Sequence, residues 1–287
     1  MALRAGFVGL GDMGRPMAER LVAGGIETTV YDVAEAPIRA LVEQGAKAAA
    51  SPRELAATSQ VVGVCVRDDD DVRAVCLGED GLFAGAARGT VIAVHSTVLP
   101  STVIELAAAG SERGVFVIDA CVTGGAQRAR DRQLTLLMGG DPKHTETARA
   151  AFETSAEKII HCGELGNGCK TKLCINLITY LQWAAAFESL TLARAVGLPV
   201  QVLEEAGLAN GQLTPLMVRF LAGHKLPDEV RKSEAVQKTL RGHMVVAEKD
   251  LAWTLALARK AGVALPAAGL VSQLMARLYG VEDPGRR

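Results

Sequence analysis

Aromatic side chains are scarce in this 287-residue chain: six Phe, three Tyr and two Trp make up 4% of it. A core must therefore be filled by Ala, Val and Leu, and a hydrophobic content of 49% is ample for a sizeable one. Framework patterns for metals and disulfides are missing as well. The six cysteines (65, 76, 121, 162, 169, 174) form no Cys-x2-Cys pair and the five histidines are dispersed. No structural zinc, other metal or disulfide scaffold is expected. Cys65 and Cys121 lie in apolar runs and read as small core residues. No apolar run reaches the ~18–20 residues of a membrane span; the nearest, 173–187, is interrupted by Asn176, Thr179 and Gln182. Charge of one sign does not accumulate either. The net charge is −1 and Lys/Arg are scattered, which argues against a nucleic-acid footprint. The short acidic run Asp68–Asp71 suits a helix N-terminus or a solvated loop. The opening residues enter a strand at once, with no signal-peptide pattern. A soluble, cytoplasmic protein is expected, with neither nucleic acid nor membrane as partner.

What is present is alternation. Short β-branched runs at Ala5–Val8, Thr28–Tyr31, Val61–Val66, Val91–Val94, Val115–Ile118 and Leu134–Met138, with a last one near Ile159, are separated by helical patterns such as Arg15–Ala23, Ala36–Gln44 and Thr102–Arg113. This order predicts an α/β fold with a Rossmann-type, doubly wound parallel sheet. After about His161 the strands stop. Helical patterns follow at 167–196, 201–208, 212–222, 229–263 (with a break expected at Gly242) and 266–280. Gly197-Leu198-Pro199 and Gly262 before Pro266 supply stops. The expected division is a dinucleotide-binding domain, 1–162, and an all-α domain for substrate and oligomerisation, 163–287.

The first strand runs into "FVGLGDMGRPMAERLVAGG". Gly9, Leu10, Gly11, Asp12, Met13 and Gly14 form G-x-G-x-x-G at a strand-to-helix turn. The first glycine permits the tight turn, the second lets backbone approach a pyrophosphate, and the third lets helix pack on strand. In a chain with 30 glycines the pattern alone is weak. Its place before a second strand ending in Asp32 strengthens it. A carboxylate there accepts hydrogen bonds from both ribose hydroxyls and repels a 2′-phosphate. Val33 follows, where an NADP-binding chain favours Arg. NAD is the expected cofactor, with NADP the alternative.

"GELGNGCKTKLCINLITYLQWAAAF" places Lys170 and Lys172 before an almost charge-free segment. On a helix, Lys172 shares a face with Asn176, Thr179 and Trp183, whereas Lys170 lies about 160° round the axis and reaches solvent. The rest of 173–187 is apolar almost all round, which predicts a buried central helix. Desolvation lowers a lysine pKa toward neutrality and suits it to acid–base work. A snorkelling lysine at a helix start accounts for the spacing equally well.

Four segments carry a resemblance to the β-hydroxyacid dehydrogenase family, the group of 3-hydroxyisobutyrate and tartronate semialdehyde dehydrogenases. It spans about residues 5–275. "GFVGLGDMGRPMA" looks like the family's cofactor motif, "DACVTGGAQRARDRQLTLLMGG" its substrate-binding segment, "GNGCKTKLCIN" its G-x-G-x-x-x-K-x-x-x-N, and "EKDLAWTLALARKAGVALP" its K-D helix. The resemblance implies Lys172 as general acid/base with Asn176 orienting the reacting oxygen. It implies Thr123, Gly124 and Gly125 as the nest for a substrate carboxylate and Asp250 lining that site. It further implies that Lys249 reaches the cofactor and that Thr97, after Ser96, meets its nicotinamide half. Seen alone, Thr123-Gly124-Gly125 is a plain turn, and Lys249 and Asp250 are helix-surface charges. The implied function is reversible oxidation of a small β-hydroxyacid to its semialdehyde or ketoacid with NAD(P), in a homodimer or homotetramer. Two alternatives stay open. An imine reductase shares the architecture but usually lacks the lysine, and a non-catalytic nucleotide-binding protein needs no acid–base pair. The pattern departs from the family at Cys121 (proline there), Arg132 (glycine), His95, Arg67-Asp68, and Gly242, where many members carry phenylalanine. A pocket of altered shape and charge is expected.

Overall fold

A computed structural model of the chain describes residues 3–283. It divides into two compact units, Met1–Lys172 and Leu173–Arg287. The first unit carries eight strands: β1 (Arg4–Val8), β2 (Glu27–Tyr31), β3 (Lys47–Ala48), β4 (Val61–Val64), β5 (Val91–Val94), β6 (Phe116–Thr123), β7 (Leu134–Gly139) and β8 (Ala156–His161). Between them lie α1 (Gly14–Ala23), α2 (Glu35–Val42), α3 (Pro52–Thr58), α4 (Asp69–Leu77), α5 (Leu82–Gly85), α6 (Pro100–Ser111), α7 (Ala126–Arg130) and α8 (Pro142–Phe152). α9 (Asn167–Ala195) leaves the first unit. The second continues with α10 (Val200–Ala209), α11 (Pro215–Gly223), α12 (Asp228–Arg231), α13 (Glu234–Ala261), α14 (Pro266–Ser272) and α15 (Met275–Tyr279).

The strands form one sheet in the order β3-β2-β1-β4-β5-β6-β7-β8. β4 (VVGV) and β5 (VIAV) are buried at every position, as a parallel strand covered on both faces requires. Phe7, Met17, Leu21, Ile118, Leu136 and Phe152 fill one side; Leu55, Val62, Val72, Ile92, Val94 and Leu106 fill the other. β1 lies between β2 and β4, both parallel to it, and the order in which strands are added reverses there: β2 and β3 extend one way, β4 and β5 the other. That is a topological switch point, where a crevice opens beyond the strand C-termini. The sheet is not wholly parallel: β7 pairs antiparallel with β6, Cys121 opposite Leu137, because only α7 and two short turns connect them. The helix-long crossover a parallel neighbour needs is missing.

In the second unit, Tyr180, Met244, Leu251, Val271, Met275 and Leu278 pack as one cluster, and Ala186, Leu190, Leu213, Met217 and Leu221 as another. Two expectations are corrected here. α13 runs unbroken through Gly242. A mid-helix glycine costs about 1 kcal/mol, less than the burial of Met244, Ala247 and Leu251 along the same helix returns. α9 is not buried all round either. Ile175, Ile178, Gln182, Ala185, Ser189 and Leu192 recur every three or four residues and all are exposed, Ile178 at 52% and Leu192 at 64%.

Candidate active site

The glycine loop closes at the C-terminal end of β1. Gly9 has φ +89°, a conformation that L side chains rarely adopt, and a Cβ there would overlap the Cys65 carbonyl. A Cβ on Gly14 would overlap the Gly9 carbonyl oxygen, so the start of α1 lies directly on the turn. Gly11 differs: it is exposed, and a Cβ there would meet nothing within 4 Å. Met13, at the N-cap of α1, supplies no side-chain acceptor, and no acid stands in the first turn. Those N–H groups and the helix dipole suit an anion. Asp32, the residue after β2, is held at both oxygens: Oδ2 accepts from Leu10 N of the glycine loop at 2.5 Å and Oδ1 from Ala34 N at 2.8 Å. Asp12 is exposed beside Gly11, and Val33 is 95% exposed.

At the neighbouring strand ends, Ser96 Oγ donates to Val66 O at 2.9 Å and accepts from Val66 N at 2.8 Å, clasping β5 to β4. Thr97 follows, half-buried. Arg67 is bidentate on Asp71, at 2.7 and 3.0 Å, and points into solvent at 85% exposure. His95 stacks on Phe7 and meets Phe152 edge-on, with Nδ1 2.7 Å from Ala120 O. Complete burial lowers its pKa to about 4, so it is a neutral core ring rather than part of a pocket.

β6 carries the next group. Gly124 and Gly125 take φ +131° and +84°, turning successive N–H groups out of the strand in the manner of an anion nest. Thr123, half-buried, precedes them. Four residues earlier, the buried carboxylate of Asp119 caps α9: Oδ1 accepts from Gly166 N at 2.8 Å and Oδ2 from Cys169 N at 2.7 Å. One strand thus holds both the Thr123–Gly125 turn and the first turn of the lysine helix. Cys121, between them, is buried with Sγ 3.8 Å from that of Cys169, which raises the Cys169 pKa well above the usual thiol range together with burial. Arg132, at the position of a family glycine, has φ +59° and is the one described non-glycine residue with positive φ.

The two lysines separate as their spacing implies. Lys170 is exposed, with Nζ on Asn167 Oδ1 at 2.9 Å. Lys172 is half-buried, one helical turn before Asn176. Within the second unit the structure brings Asn176, Lys249 and Asp250 together. Asp250 is 1% exposed. Its Oδ2 accepts from Asn176 Nδ2 at 2.6 Å and from the Tyr180 hydroxyl at 2.9 Å, and its Oδ1 lies 3.2 Å from Lys249 Nζ. Burying a carboxylate costs several kcal/mol. Charge-assisted bonds of about 1.5–3 kcal/mol each offset that. Burial, followed by the Asp250 charge, raises the Tyr180 pKa well above the phenol range, so its hydroxyl stays a donor. Tyr180 and Asp119 were not singled out in the sequence. Both carried a signal: a hydroxyl one turn beyond Asn176 on an apolar helix, and a lone carboxylate inside an apolar strand, each needing a partner.

Comparison with known proteins bears on the family and the fold. A family model described as the NAD binding domain of 6-phosphogluconate dehydrogenase matches residues 4–163. One described as NAD-binding of NADP-dependent 3-hydroxyisobutyrate dehydrogenase matches 166–285. The chain is 34% identical to an uncharacterised oxidoreductase of Mycobacterium tuberculosis, over 98% of this chain and 95% of that one. It is 36% identical to the NAD-dependent L-serine dehydrogenase of Pseudomonas aeruginosa, over 69% and 67% of the two chains. The solved 3-hydroxyisobutyrate dehydrogenase of Mycobacterium tuberculosis with L-serine has a TM-score of 0.81 at 26% identity, covering 98% of this chain and 94% of its own. Glycine loop, switch-point sheet and these matches define an NAD(P)-dependent oxidoreductase. The chain belongs to the β-hydroxyacid dehydrogenase family. Among the described residues no helix is long and apolar enough to cross a membrane.

Proposed function

We propose that the enzyme interconverts a small β-hydroxyacid and its semialdehyde or ketoacid, with Lys172 as general acid/base. The observation that carries this reading is the half-buried Lys172, one turn from an Asn176 whose amide is held by a buried carboxylate. The named relatives support it: L-serine, 3-hydroxyisobutyrate and 2-(hydroxymethyl)glutarate dehydrogenases all take acids with a hydroxyl on the β carbon. When bound, an NAD(P) cofactor would supply the hydride acceptor for the carbon that bears the hydroxyl. The chain's own residues supply the rest. Backbone N–H groups of Gly124 and Gly125 and the Thr123 hydroxyl hold the substrate carboxylate, fixing its distance to the reacting carbon, and orientation of this kind lowers the barrier. Lys172 Nζ takes the hydroxyl proton in oxidation and returns it in reduction. Gly9–Gly14 and Asp32 hold the dinucleotide, Thr97 and Lys249 its nicotinamide side. Asp32, already accepting from Leu10 N, favours ribose hydroxyls over a 2′-phosphate, so NAD is preferred to NADP. The exposed stripe of α9 is covered in a homodimer or homotetramer, which sedimentation at monomer mass would contradict.

The test is a panel of C3–C6 β-hydroxyacids with NAD and with NADP, followed by absorbance of the reduced cofactor. Turnover preferring NAD and falling ~10²–10⁴-fold in Lys172→Ala, the worth of an acid–base group, supports the proposal. A silent panel with intact NADH binding refutes it and shifts attention to imine substrates.

A further inference from the structure

We infer that Tyr180, acting through Asp250, fixes the Asn176 amide with its carbonyl oxygen turned toward Lys172, making Tyr180 and Asp250 positioning residues for the acid–base group. The inference rests on the function proposed above. A carboxylate has acceptors only, so the amide must present its NH2 to Asp250 Oδ2, as the 2.6 Å contact shows. The amide is planar, and its Oδ1 then lies on the other side, as an acceptor. The face it serves is set by the helix: Lys172 precedes Asn176 by four residues on α9, the spacing of side chains that meet. An amine carries N–H donors whether neutral or protonated. One N–H held by Asn176 Oδ1 leaves the lone pair of a neutral Nζ aimed at the substrate hydroxyl. Asn176 then serves the lysine rather than donating to the reacting oxygen.

Tyr180 makes that arrangement rigid. Its hydroxyl, 2.9 Å from the same Oδ2, stops the carboxylate from swinging away from the amide. The ring is 6% exposed and wedged edge-on against Trp183. Thr254, one turn beyond Asp250 on α13, donates to the Asp250 backbone carbonyl at 2.8 Å, leaving the carboxylate to its three side-chain partners.

The experiment uses the full chain, labelled with 15N. The Asn176 side-chain amide pair, assigned by its loss in Asn176→Asp, is expected to sit apart from exposed asparagines in the wild type and to move in Tyr180→Phe and in Asp250→Asn. With the panel's best hydroxyacid, Tyr180→Phe is expected to lower kcat about tenfold, the worth of one hydrogen bond to a charged group. Rates are normalised to NADH-binding sites, and KM for the cofactor stays unchanged; a purely packing role would lower the melting temperature without that split. Asp250→Asn, which keeps one carbonyl acceptor, should lose more than Tyr180→Phe and less than Asp250→Ala. An unmoved Asn176 pair with wild-type kcat in Tyr180→Phe overturns the inference. If no hydroxyacid turns over, the proposed function falls on that result alone, while the Asn176 signals still decide the orientation of the amide.

Discussion

Replacing Asp119 by Asn removes one charge and no volume, yet the structure makes it a severe change. The carboxylate is fully buried and accepts from Gly166 N and Cys169 N at 2.8 and 2.7 Å. Each such bond to a charged acceptor contributes about 1.5–3 kcal/mol, and placing the charge at a helix N-terminus adds up to ~2 kcal/mol in a buried setting. Asparagine keeps one acceptor. Its NH2 meets the second backbone N–H, leaving two donors face to face without water. Losing one charged bond and stranding a donor together cost about 3–5 kcal/mol, a large share of a domain's ~5–15 kcal/mol. Urea unfolding followed by tryptophan fluorescence and far-UV circular dichroism measures it, with amide exchange at Cys169 as the local reporter. The Cys169 amide should lose protection ahead of the sheet, because the first turn of α9 loses its cap. An Asn variant within 1 kcal/mol of the wild type, with Cys169 still protected, refutes the reasoning.

Two further outcomes are expected. His95 titrates near 4 in the folded chain against an ordinary 6.5, so between those values the unfolded chain binds the proton and the folded one does not. The contribution is complete above pH 6.5 and is lost as pH falls toward 4, in all about 3 kcal/mol at 1.36 kcal/mol per unit; the difference between unfolding curves at pH 7 and 4.5 should shrink in His95→Phe, and an unchanged pH dependence contradicts it. Gly14→Ala should weaken NADH binding, read by fluorescence titration, at least tenfold, since a Cβ there overlaps the Gly9 carbonyl oxygen and must open the loop; wild-type affinity contradicts it.

The centre of the sheet was legible because β4 and β5 are mostly β-branched and buried at every position. β3 escaped notice: two residues, Lys47 and Ala48, both exposed, carry no pattern and owe their state to the edge of β2. The direction of β7 had its signal in the short connection from Thr123 to Leu134 rather than in the strand's own residues, and a reading of strands alone passes over it. Gly242 misled because propensity is a local preference and the packing of α13 is not local. At the site, Lys172 and Asn176 could be paired by counting along one helix. Tyr180 and Asp250, 70 residues apart, could not. Each looked solitary in the chain, and only the fold shows that each is the other's reason for being buried.

The glycines around Asp119 have a consequence for how this chain can change. A Cβ on Gly139 would stand 2.5 Å from Asp119 Oδ1, and one on Gly168 would stand 2.7 Å from Oδ2. The two glycines and the carboxylate share one small volume, so their substitutions are not independent. A library that varies these positions singly will record only losses at all three. Backbone closes the same corner, with the Leu137 carbonyl oxygen 2.4 Å from a Cβ on Gly168 and that of Glu164 2.8 Å from one on Gly139, so trimming Asp119 frees neither glycine and the corner is an island in sequence space rather than a slope.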